Sequence, residues 1–223
     1  MSVGQPTDEW YRWYLAALRA GDRRRALAIV DDARAAGLDL ATLYLEVFQP
    51  ALREIGRLWQ ENELTVAEEH LATAVTQIAM GRLYADFCAT ATPGERTLLA
   101  ACTETERHEL GLRMLCDLLE MDGWDARYLG ASVPTDSLVS MVVEHRPDVL
   151  ALSATTAPRL PELRSTIRAV RDACGGAAPF VLVGGRPFLE DESLGRRLGA
   201  DATASDAAHA AALLRERFAP SSA

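Results

Sequence analysis

Apolar side chains recur at intervals of three and four through about the first ninety residues, which is the period of an α-helix. Gly21 and Gly37 interrupt the pattern as helix stops. A third helical segment runs from about Asp39 to Glu63, and a fourth opens at Thr65, where Glu68 completes a capping box. Four helices joined by short loops predict a four-helix bundle.

Beyond residue 92 the pattern changes to short β runs that alternate with helical stretches. This alternation predicts a Rossmann-like (flavodoxin-like) doubly wound parallel sheet, covered by helices on both faces. Pro93-Gly94 favours a linker, so we divide the chain into a four-helix-bundle cap, residues 1–92, and a sheet domain, residues 93–223. The predicted strands are Thr97–Cys102, Asp125–Leu129, Val149–Ser153, Phe180–Val183 and Asp201–Ala204. The predicted helices between and after them are about His108–Asp122, Thr135–His145, Leu160–Cys174, Leu189–Leu198 and Ala207–Phe218.

Composition limits the classes of function. The chain is 49% hydrophobic and 25% charged, as folded proteins are, and its net charge of −9 disfavours a surface that binds nucleic acid or anionic lipid. No stretch approaches the ~20 apolar residues of a membrane span, and the N-terminus lacks the layout of a signal peptide. The four cysteines form no CxxC pair. We therefore expect a cytoplasmic protein that binds neither DNA nor membranes directly.

The first candidate for chemistry follows the first predicted strand. Glu106-Arg107-His108 lies at the carboxyl edge of the sheet, and Gly111 comes three residues later. An imidazole is a good metal ligand, and a carboxylate on its other nitrogen fixes the tautomer. Gly111 would let a helix begin close against a bulky ligand. The same residues would also suit a surface histidine near the start of a helix.

The spacing to two later elements is more specific. Gly111 is followed after 41 residues by Ser153-Ala154-Thr155, and a further 28 residues precede Gly184-Gly185. This three-part pattern resembles that of the cobalamin (B12)-binding domain family over about residues 96–218. In that family the pattern is Asp/Glu-x-His-x-x-Gly, then Ser-x-Leu/Thr, then Gly-Gly.

The resemblance implies a cofactor and a role for each matched residue. The nucleotide tail of cobalamin would enter the sheet domain, and His108 would replace it as the lower axial cobalt ligand, with Glu106 as its partner. Ser153 and Thr155 would line the channel for the tail, and the two glycines would let the backbone approach it. Glu106 stands where Asp is commoner in the family, and Thr155 where Leu is frequent. The matched cofactor-binding residues are Glu106, Arg107, His108, Gly111, Ser153, Thr155, Gly184 and Gly185.

A second signature lies in the helical half. Trp59 is followed after nine residues by Glu69-His70. Val66, Glu69 and His70 are spaced i, i+3 and i+4, so they project from one face of the fourth predicted helix. An aromatic ring, an acid and an imidazole at one point are unusual for the apolar seam of a bundle. Alternatively, Trp59 is a core residue while Glu69 and His70 are solvated.

The second signature resembles the cap of the B12-dependent photoreceptors, light sensors that use adenosylcobalamin. The resemblance implies that Trp59 and Val66 pack over the adenosyl group, that Glu69 contacts it, and that light breaks the cobalt–carbon bond. In the MerR-type repressors of that family a histidine directly follows the tryptophan, whereas Gln60 occupies this position here. His70 is then the candidate upper cobalt ligand after photolysis.

Three functions fit these patterns. The first is a stand-alone B12 photoreceptor with no catalytic residues and no DNA-binding domain of its own, which would signal as a homo-oligomer or through a separate protein effector. Some stand-alone relatives, the photocobilins, also take a linear tetrapyrrole such as biliverdin, so a bilin is a further expected cofactor. The alternatives are a corrinoid shuttle protein of a methyltransferase system and a B12 storage or delivery protein. The set Trp59, Glu69 and His70 favours the first, because it matches a pocket for adenosyl rather than methyl.

Overall fold

The computed structural model describes residues 7–87, 94–191 and 193–219. The chain divides into two compact units, Met1–Ala89 and Thr90–Ala223. The predicted boundary between residues 92 and 93 falls among residues 88–93, outside the described residues. In the described part of the chain, no helix combines the length and the apolar character needed to cross a membrane.

The helical unit is built around a cluster of aromatic rings. Tyr14, Tyr44 and Phe48 are fully buried, and the ring centroids of Tyr14 and Phe48 are 4.9 Å apart. The Tyr14 hydroxyl lies 2.9 Å from Thr76 Oγ1, which in turn donates to the backbone oxygen of Ala72. Both buried hydroxyls are therefore satisfied. The helical segments are α1 (Thr7–Arg19), α2 (Arg23–Ala35), α3 (Leu40–Thr42), a π-helical segment (Leu43–Phe48), α4 (Gln49–Gln60) and α5 (Val66–Phe87).

The third predicted helix contains a change of helix type. Pro50 predicts a kink or a division there, because proline lacks an N–H and its ring clashes with the carbonyl four residues earlier. The structure joins α3, the π-helical segment and α4 without a break, and Pro50 lies in the first turn of α4. The Gln49 N–H donates to the Tyr44 oxygen, five residues back. The wider π turn thus ends two residues before the proline.

The predicted capping box at the start of α5 is present. The Thr65 N–H donates to Glu68 Oε2 at 2.7 Å, and the Glu68 N–H donates to Thr65 Oγ1 at 3.3 Å. We expect Glu68→Ala to lower the free energy of unfolding of the helical unit, because the Thr65 N–H loses its acceptor. Urea unfolding monitored by circular dichroism measures this. Glu63→Ala, an exposed glutamate in the preceding loop, serves as the control and should change it by less than about 0.5 kcal/mol.

The second unit is a five-stranded parallel sheet, and the predicted fold class is confirmed. The strand order is β2-β1-β3-β4-β5, the doubly wound order in which ligands bind beyond the carboxyl ends of the strands. The strands are β1 (Thr97–Cys102), β2 (Asp125–Tyr128), β3 (Val149–Ser153), β4 (Phe180–Gly184) and β5 (Ala202–Ala204). The helices are α6 (Leu110–Met121), α7 (Thr135–His145), α8 (Leu160–Cys174), α9 (Pro187–Glu190), α10 (Leu194–Leu198) and α11 (Ala207–Arg217), with 3-10 turns at Ala157–Arg159 and Gly175–Ala177.

The carboxyl ends of four strands lie level with one another. Cys102 pairs with Ser153, Ser153 with Gly184, and Gly184 with Ala204. The central strand β3 is buried along its whole length, as expected for a parallel sheet with helices on both faces. The loops that follow β1, β3 and β4 therefore leave the sheet side by side.

Two predicted helices differ from those observed. The helix expected from His108 begins at Leu110, so that His108 lies in the preceding loop. The helix expected over Leu189–Leu198 is replaced by the two short helices α9 and α10, separated at Asp191, whose backbone is extended. The Asp191 carboxylate accepts a hydrogen bond from the Ser193 N–H, and such a local side-chain bond competes with a continuous helix.

Candidate functional site

The loop after β1 is organised around the carboxylate of Glu106, which is only 2% exposed. Its Oε1 accepts hydrogen bonds from the Arg107 N–H at 2.8 Å, the His108 N–H at 2.9 Å and His108 Nδ1 at 2.6 Å. Its Oε2 accepts from the Thr155 N–H at 2.7 Å, beyond the end of β3. One buried side chain thus fixes the histidine ring, its backbone and the neighbouring loop.

The protonation of this pair follows from its contacts. Burial by itself would raise the pKa of Glu106, but the hydrogen bonds from the His108 ring and from the N–H groups of His108 and Thr155 outweigh it and lower the pKa to about 2. An ionised carboxylate only accepts hydrogen bonds, so Nδ1 of His108 carries a proton and donates. In the neutral ring the lone pair is then on Nε2, the nitrogen that suits a metal. The His108 side chain is 50% exposed.

The depressed pKa of Glu106 predicts acid sensitivity of the cofactor-free protein. The carboxyl binds its proton less tightly in the folded chain, with a pKa of about 2, than at the ordinary value of 4.5. Its contribution to stability, about 3 kcal/mol, is therefore fully present above the ordinary pKa and is lost as the pH falls towards the folded-state value. Unfolding free energies of the wild type and Glu106→Gln, measured across that range, should converge. A difference that does not change with pH would contradict this prediction.

Several further contacts support the loop, and the sequence patterns did not indicate them. The Ser132 N–H donates to the Glu106 backbone oxygen at 2.9 Å, and the Cys102 thiol donates to the His108 oxygen at 3.6 Å. Thr103 forms an isolated bridge with Val133. The Thr103 hydroxyl is buried and has no hydrogen-bond partner among the described residues. Its position directly after β1, at the edge where ligands bind, is the sequence signal that could have identified it.

The three predicted elements of the sheet domain meet at one edge. Ser153 ends β3 and is 9% exposed, and Thr155 contributes its backbone N–H to Glu106. Gly184 ends β4, and its oxygen accepts from the Ala154 N–H at 3.1 Å. Gly185 has a φ of +118°, and a Cβ there would lie 2.1 Å from the Ala154 oxygen. Because Gly185 has no side chain, the backbone of Ala154 can lie directly against it. The approach of Gly185 to a cofactor tail stays a prediction.

The donor set fits the axial ligand of a corrinoid. A single imidazole, held by a buried carboxylate and half exposed, suits a metal whose other positions are filled by its own macrocycle. Gly111 is the second residue of α6, and a Cβ there would meet no other part of the described residues within 4 Å, apart from its neighbours and the backbone of its own helix. Its lack of a side chain is therefore not required by internal packing. Arg107, which lies between Glu106 and His108 in the sequence, is exposed.

The residues of the helical signature lie around the α4–α5 turn. Trp59 is 37% exposed and Val66 52%, so the alternative of a core position for Trp59 is wrong. Glu69 and His70 are brought together, since Glu69 Oε2 lies 2.5 Å from His70 Nδ1. The other oxygen of Glu69 accepts from the Thr73 hydroxyl at 3.0 Å. His70 is thus oriented by a carboxylate on Nδ1, as His108 is.

Comparison with known proteins identifies relatives of both units. Two family models, each described as a B12 binding domain, match residues 11–84 and 96–214. The chain is 31% identical over 191 residues to the HTH-type transcriptional repressor CarH of Myxococcus xanthus, covering 86% of this chain and 62% of the repressor. It is 36% identical over 185 residues to the HTH-type transcriptional repressor CarA of the same organism, covering 81% and 60%. The chain thus spans less than two thirds of the length of either repressor.

A solved structure supports the same assignment at the level of the fold. The monomethylamine corrinoid protein of Methanosarcina barkeri matches with a TM-score of 0.84 at 18% identity, covering 96% of this chain and 100% of that chain. At this identity the likeness concerns the fold alone. The model that matches residues 96–214 spans more than half of the 223 residues and includes the Glu106–His108 pair. The chain therefore belongs to the B12 binding domain family.

Proposed function

We propose that this protein is a B12-dependent photoreceptor that binds adenosylcobalamin with His108 as the lower axial ligand and changes its conformation or assembly in light. The observation that carries the proposal is the exposed set around the α4–α5 turn: Trp59, Val66 and the paired Glu69 and His70. A protein that only holds B12 needs His108 and Glu106. It does not need a second group of residues that combines apolar surface, a carboxylate and an imidazole.

Each residue of the set has a distinct role in the proposal. When bound, adenosylcobalamin supplies a cobalt–carbon bond that light can break. Trp59 and Val66 offer apolar surface to the adenosyl group, and Glu69, held by Thr73, accepts hydrogen bonds from it. His70 has its Nδ1 on Glu69, so Nε2 is the nitrogen that would bind a metal. Loss of one ligand and gain of another is a local event that can bias a larger rearrangement.

The output of the sensor is proposed to be a change in self-association or in binding to a separate protein effector. The relatives CarH and CarA are HTH-type transcriptional repressors that are longer than the matched region, so repressor activity is not carried over to these 223 residues. Size-exclusion chromatography in the dark and after illumination tests the first route. A bilin stays a sequence-based prediction, tested by adding biliverdin to the purified protein and recording its red absorbance.

A corrinoid shuttle protein is the second candidate, and the fold shared with the monomethylamine corrinoid protein favours it. The two functions differ in the ligand above the metal. A shuttle needs room for a methyl group and access for partner enzymes, whereas the sensor needs a surface for adenosyl. Turnover with methylcobalamin and a methyl acceptor, without any light response from the adenosyl form, would favour the shuttle and overturn the sensor.

Purification with adenosylcobalamin in the dark should give a protein whose absorption spectrum changes lastingly in green light, with release of the adenosyl group. Trp59→Ala should weaken adenosylcobalamin binding about 10-fold, because an aromatic contact of 1–2 kcal/mol is lost. Trp13→Ala is a matched control, since Trp13 lies on the same unit and is 36% exposed against 37% for Trp59. Equal effects of the two substitutions would contradict a specific role for Trp59.

His70 is tested by the spectrum after illumination. If His70 is the upper ligand, the lit wild type should show the spectrum of a cobalt bound by two imidazoles, and His70→Ala should not. An unchanged lit spectrum in His70→Ala would remove His70 from the proposal while leaving the light response itself intact.

A further inference from the structure

Thr105 adopts a backbone conformation that a β-branched residue rarely takes. Its φ is +69°, in the left-handed region, where a branched Cβ crowds the backbone. Thr105 lies three residues before His108 in the loop that follows β1. Residues in such conformations persist only where the surroundings hold them, and they concentrate at functional sites. The contacts that hold Thr105 therefore bear on the position of His108.

The Thr105 hydroxyl joins two charged residues from another part of the chain. Arg159 donates a hydrogen bond to Thr105 Oγ1, and the same hydroxyl donates to Glu162 Oε2 at 3.2 Å. Arg159 is the last residue of a 3-10 turn, and Glu162 lies in the first turn of α8. The hydroxyl thus acts once as acceptor and once as donor, and it connects the loop after β1 to the segment that follows β3.

A second connection runs between the same two segments from the next residue. Glu106 Oε2 accepts from the Thr155 N–H at 2.7 Å. The Glu106 side chain is buried, whereas Thr105 is exposed and Arg159 is partly buried. Two connections from consecutive residues restrain the rotation of the loop about its own axis, which one connection could not do. The His108 ring follows that rotation because its backbone N–H is bonded to Glu106.

We propose that Thr105, Arg159 and Glu162 form a clamp that positions His108 for axial coordination, with the Thr105 hydroxyl as its centre. These are positioning residues and do not contact the cofactor. The clamp rests on the proposed role of His108 as the lower ligand. The Thr105 hydroxyl makes both hydrogen bonds of the clamp, and its methyl group makes neither. Thr105→Ser should therefore keep His108 in position, and Thr105→Val should not. Arg159→Ala should reproduce Thr105→Val from the other side of the contact.

The first test uses the cofactor-free protein. Hydrogen exchange of peptides covering residues 103–109 should be about fivefold faster in Thr105→Val and Arg159→Ala, the factor expected for loss of one hydrogen bond. Thr105→Ser should exchange within about twofold of the wild type. Arg168→Ala is the matched control, because Arg168 lies on α8 with its side chain 83% exposed and pairs only with Asp172 among the contacts that the described residues show. Unchanged exchange in both Thr105→Val and Arg159→Ala would overturn the clamp.

The second test uses hydroxocobalamin as the probe and follows the absorption bands of imidazole-bound cobalt. In Thr105→Val and Arg159→Ala the cofactor should dissociate about fivefold faster, and the imidazole-bound fraction should fall. Unchanged dissociation and coordination would overturn the positioning role even if exchange increased. If the wild type itself shows no coordination through His108, the proposed lower ligand fails, while the exchange experiment still decides whether the clamp exists. Arg159→Ala, which removes the other partner of this solvent-exposed hydrogen bond, keeps the test open if Thr105→Val folds poorly.

Discussion

Glu106→Ala is expected to abolish cobalamin coordination through His108 and to lower the free energy of unfolding of the sheet unit by about 3 kcal/mol. The substitution removes the acceptor for four N–H groups: those of Arg107, His108 and Thr155 and the His108 ring. The side chain is 2% exposed, so the donors at the centre of the site cannot all turn to water without a change in the loop. The imidazole also loses the group that selects its tautomer.

Matched variants separate these effects. Glu104→Ala removes an exposed glutamate from the same loop and should leave both binding and stability near wild type. Glu106→Gln keeps the shape but replaces one acceptor oxygen by a donor and removes the charge, so it should weaken coordination and, at neutral pH, lose most of the stability that Glu106→Ala loses. The measurements are urea unfolding of the cofactor-free protein and the absorption bands of imidazole-bound hydroxocobalamin. Full coordination in Glu106→Ala would show that His108 is positioned without its carboxylate.

Gly185→Ala is expected to be as damaging, for a steric reason. A Cβ at this position would lie 2.1 Å from the oxygen and 2.8 Å from the carbonyl carbon of Ala154, and both are backbone atoms that cannot rotate away. The φ of +118° adds strain for any residue with a side chain. Together these predict a loss of about 3 kcal/mol or more in the free energy of unfolding. The loops after β3 and β4 would have to separate at the predicted cofactor edge.

A second glycine of the same unit provides the control. Gly176 lies in a 3-10 turn, where a Cβ would meet no described residue other than its chain neighbours within 4 Å. Gly176→Ala should therefore change the free energy of unfolding by less than about 1 kcal/mol. Thermal and urea unfolding of both variants measure the contrast. A Gly185→Ala protein as stable as Gly176→Ala would mean that the Ala154 segment moves aside at little cost.

The sequence predicted the fold best at the central strands, whose burial on both faces requires an unbroken run of apolar residues. The strands Thr97–Cys102 and Val149–Ser153 occur with the predicted bounds, because strands in the centre of a parallel sheet are apolar along their whole length. It failed at the start of α6, since residues 107 and 108 have helix-compatible side chains but donate their N–H groups to Glu106. Hydrogen bonds from a backbone N–H to a side chain cannot be predicted from the spacing of apolar residues.

At the candidate site, the pairing of Glu106 with His108 could be predicted from the sequence, but the other contacts could not. The spacing identified Glu106 and His108, and the structure pairs them. The bond from the Thr155 N–H to Glu106 joins residues 49 positions apart, and a backbone donor leaves no trace in residue identity. The same holds for Thr105, whose left-handed backbone and distant partners follow from how two loops leave the sheet. Patterns along a chain report which side chains are present, whereas the geometry comes from segments that meet only after folding.

The π-helical segment Leu43–Phe48 has a consequence for the evolution of chain length. A π turn holds one more residue than the α-helical turn it replaces, so loss of a single residue there can restore an uninterrupted α-helix. Such a deletion would leave the residues beyond it on their present faces of the helix, so Ile55 and Leu58 would stay buried and Trp59 would keep its direction. The same deletion in the regular α-helix of α4, between Pro50 and Trp59, would rotate everything beyond it by about 100° about the helix axis and withdraw it by about 1.5 Å. The π-helical segment is therefore the place in this helix where chain length can change by one residue without turning the tryptophan.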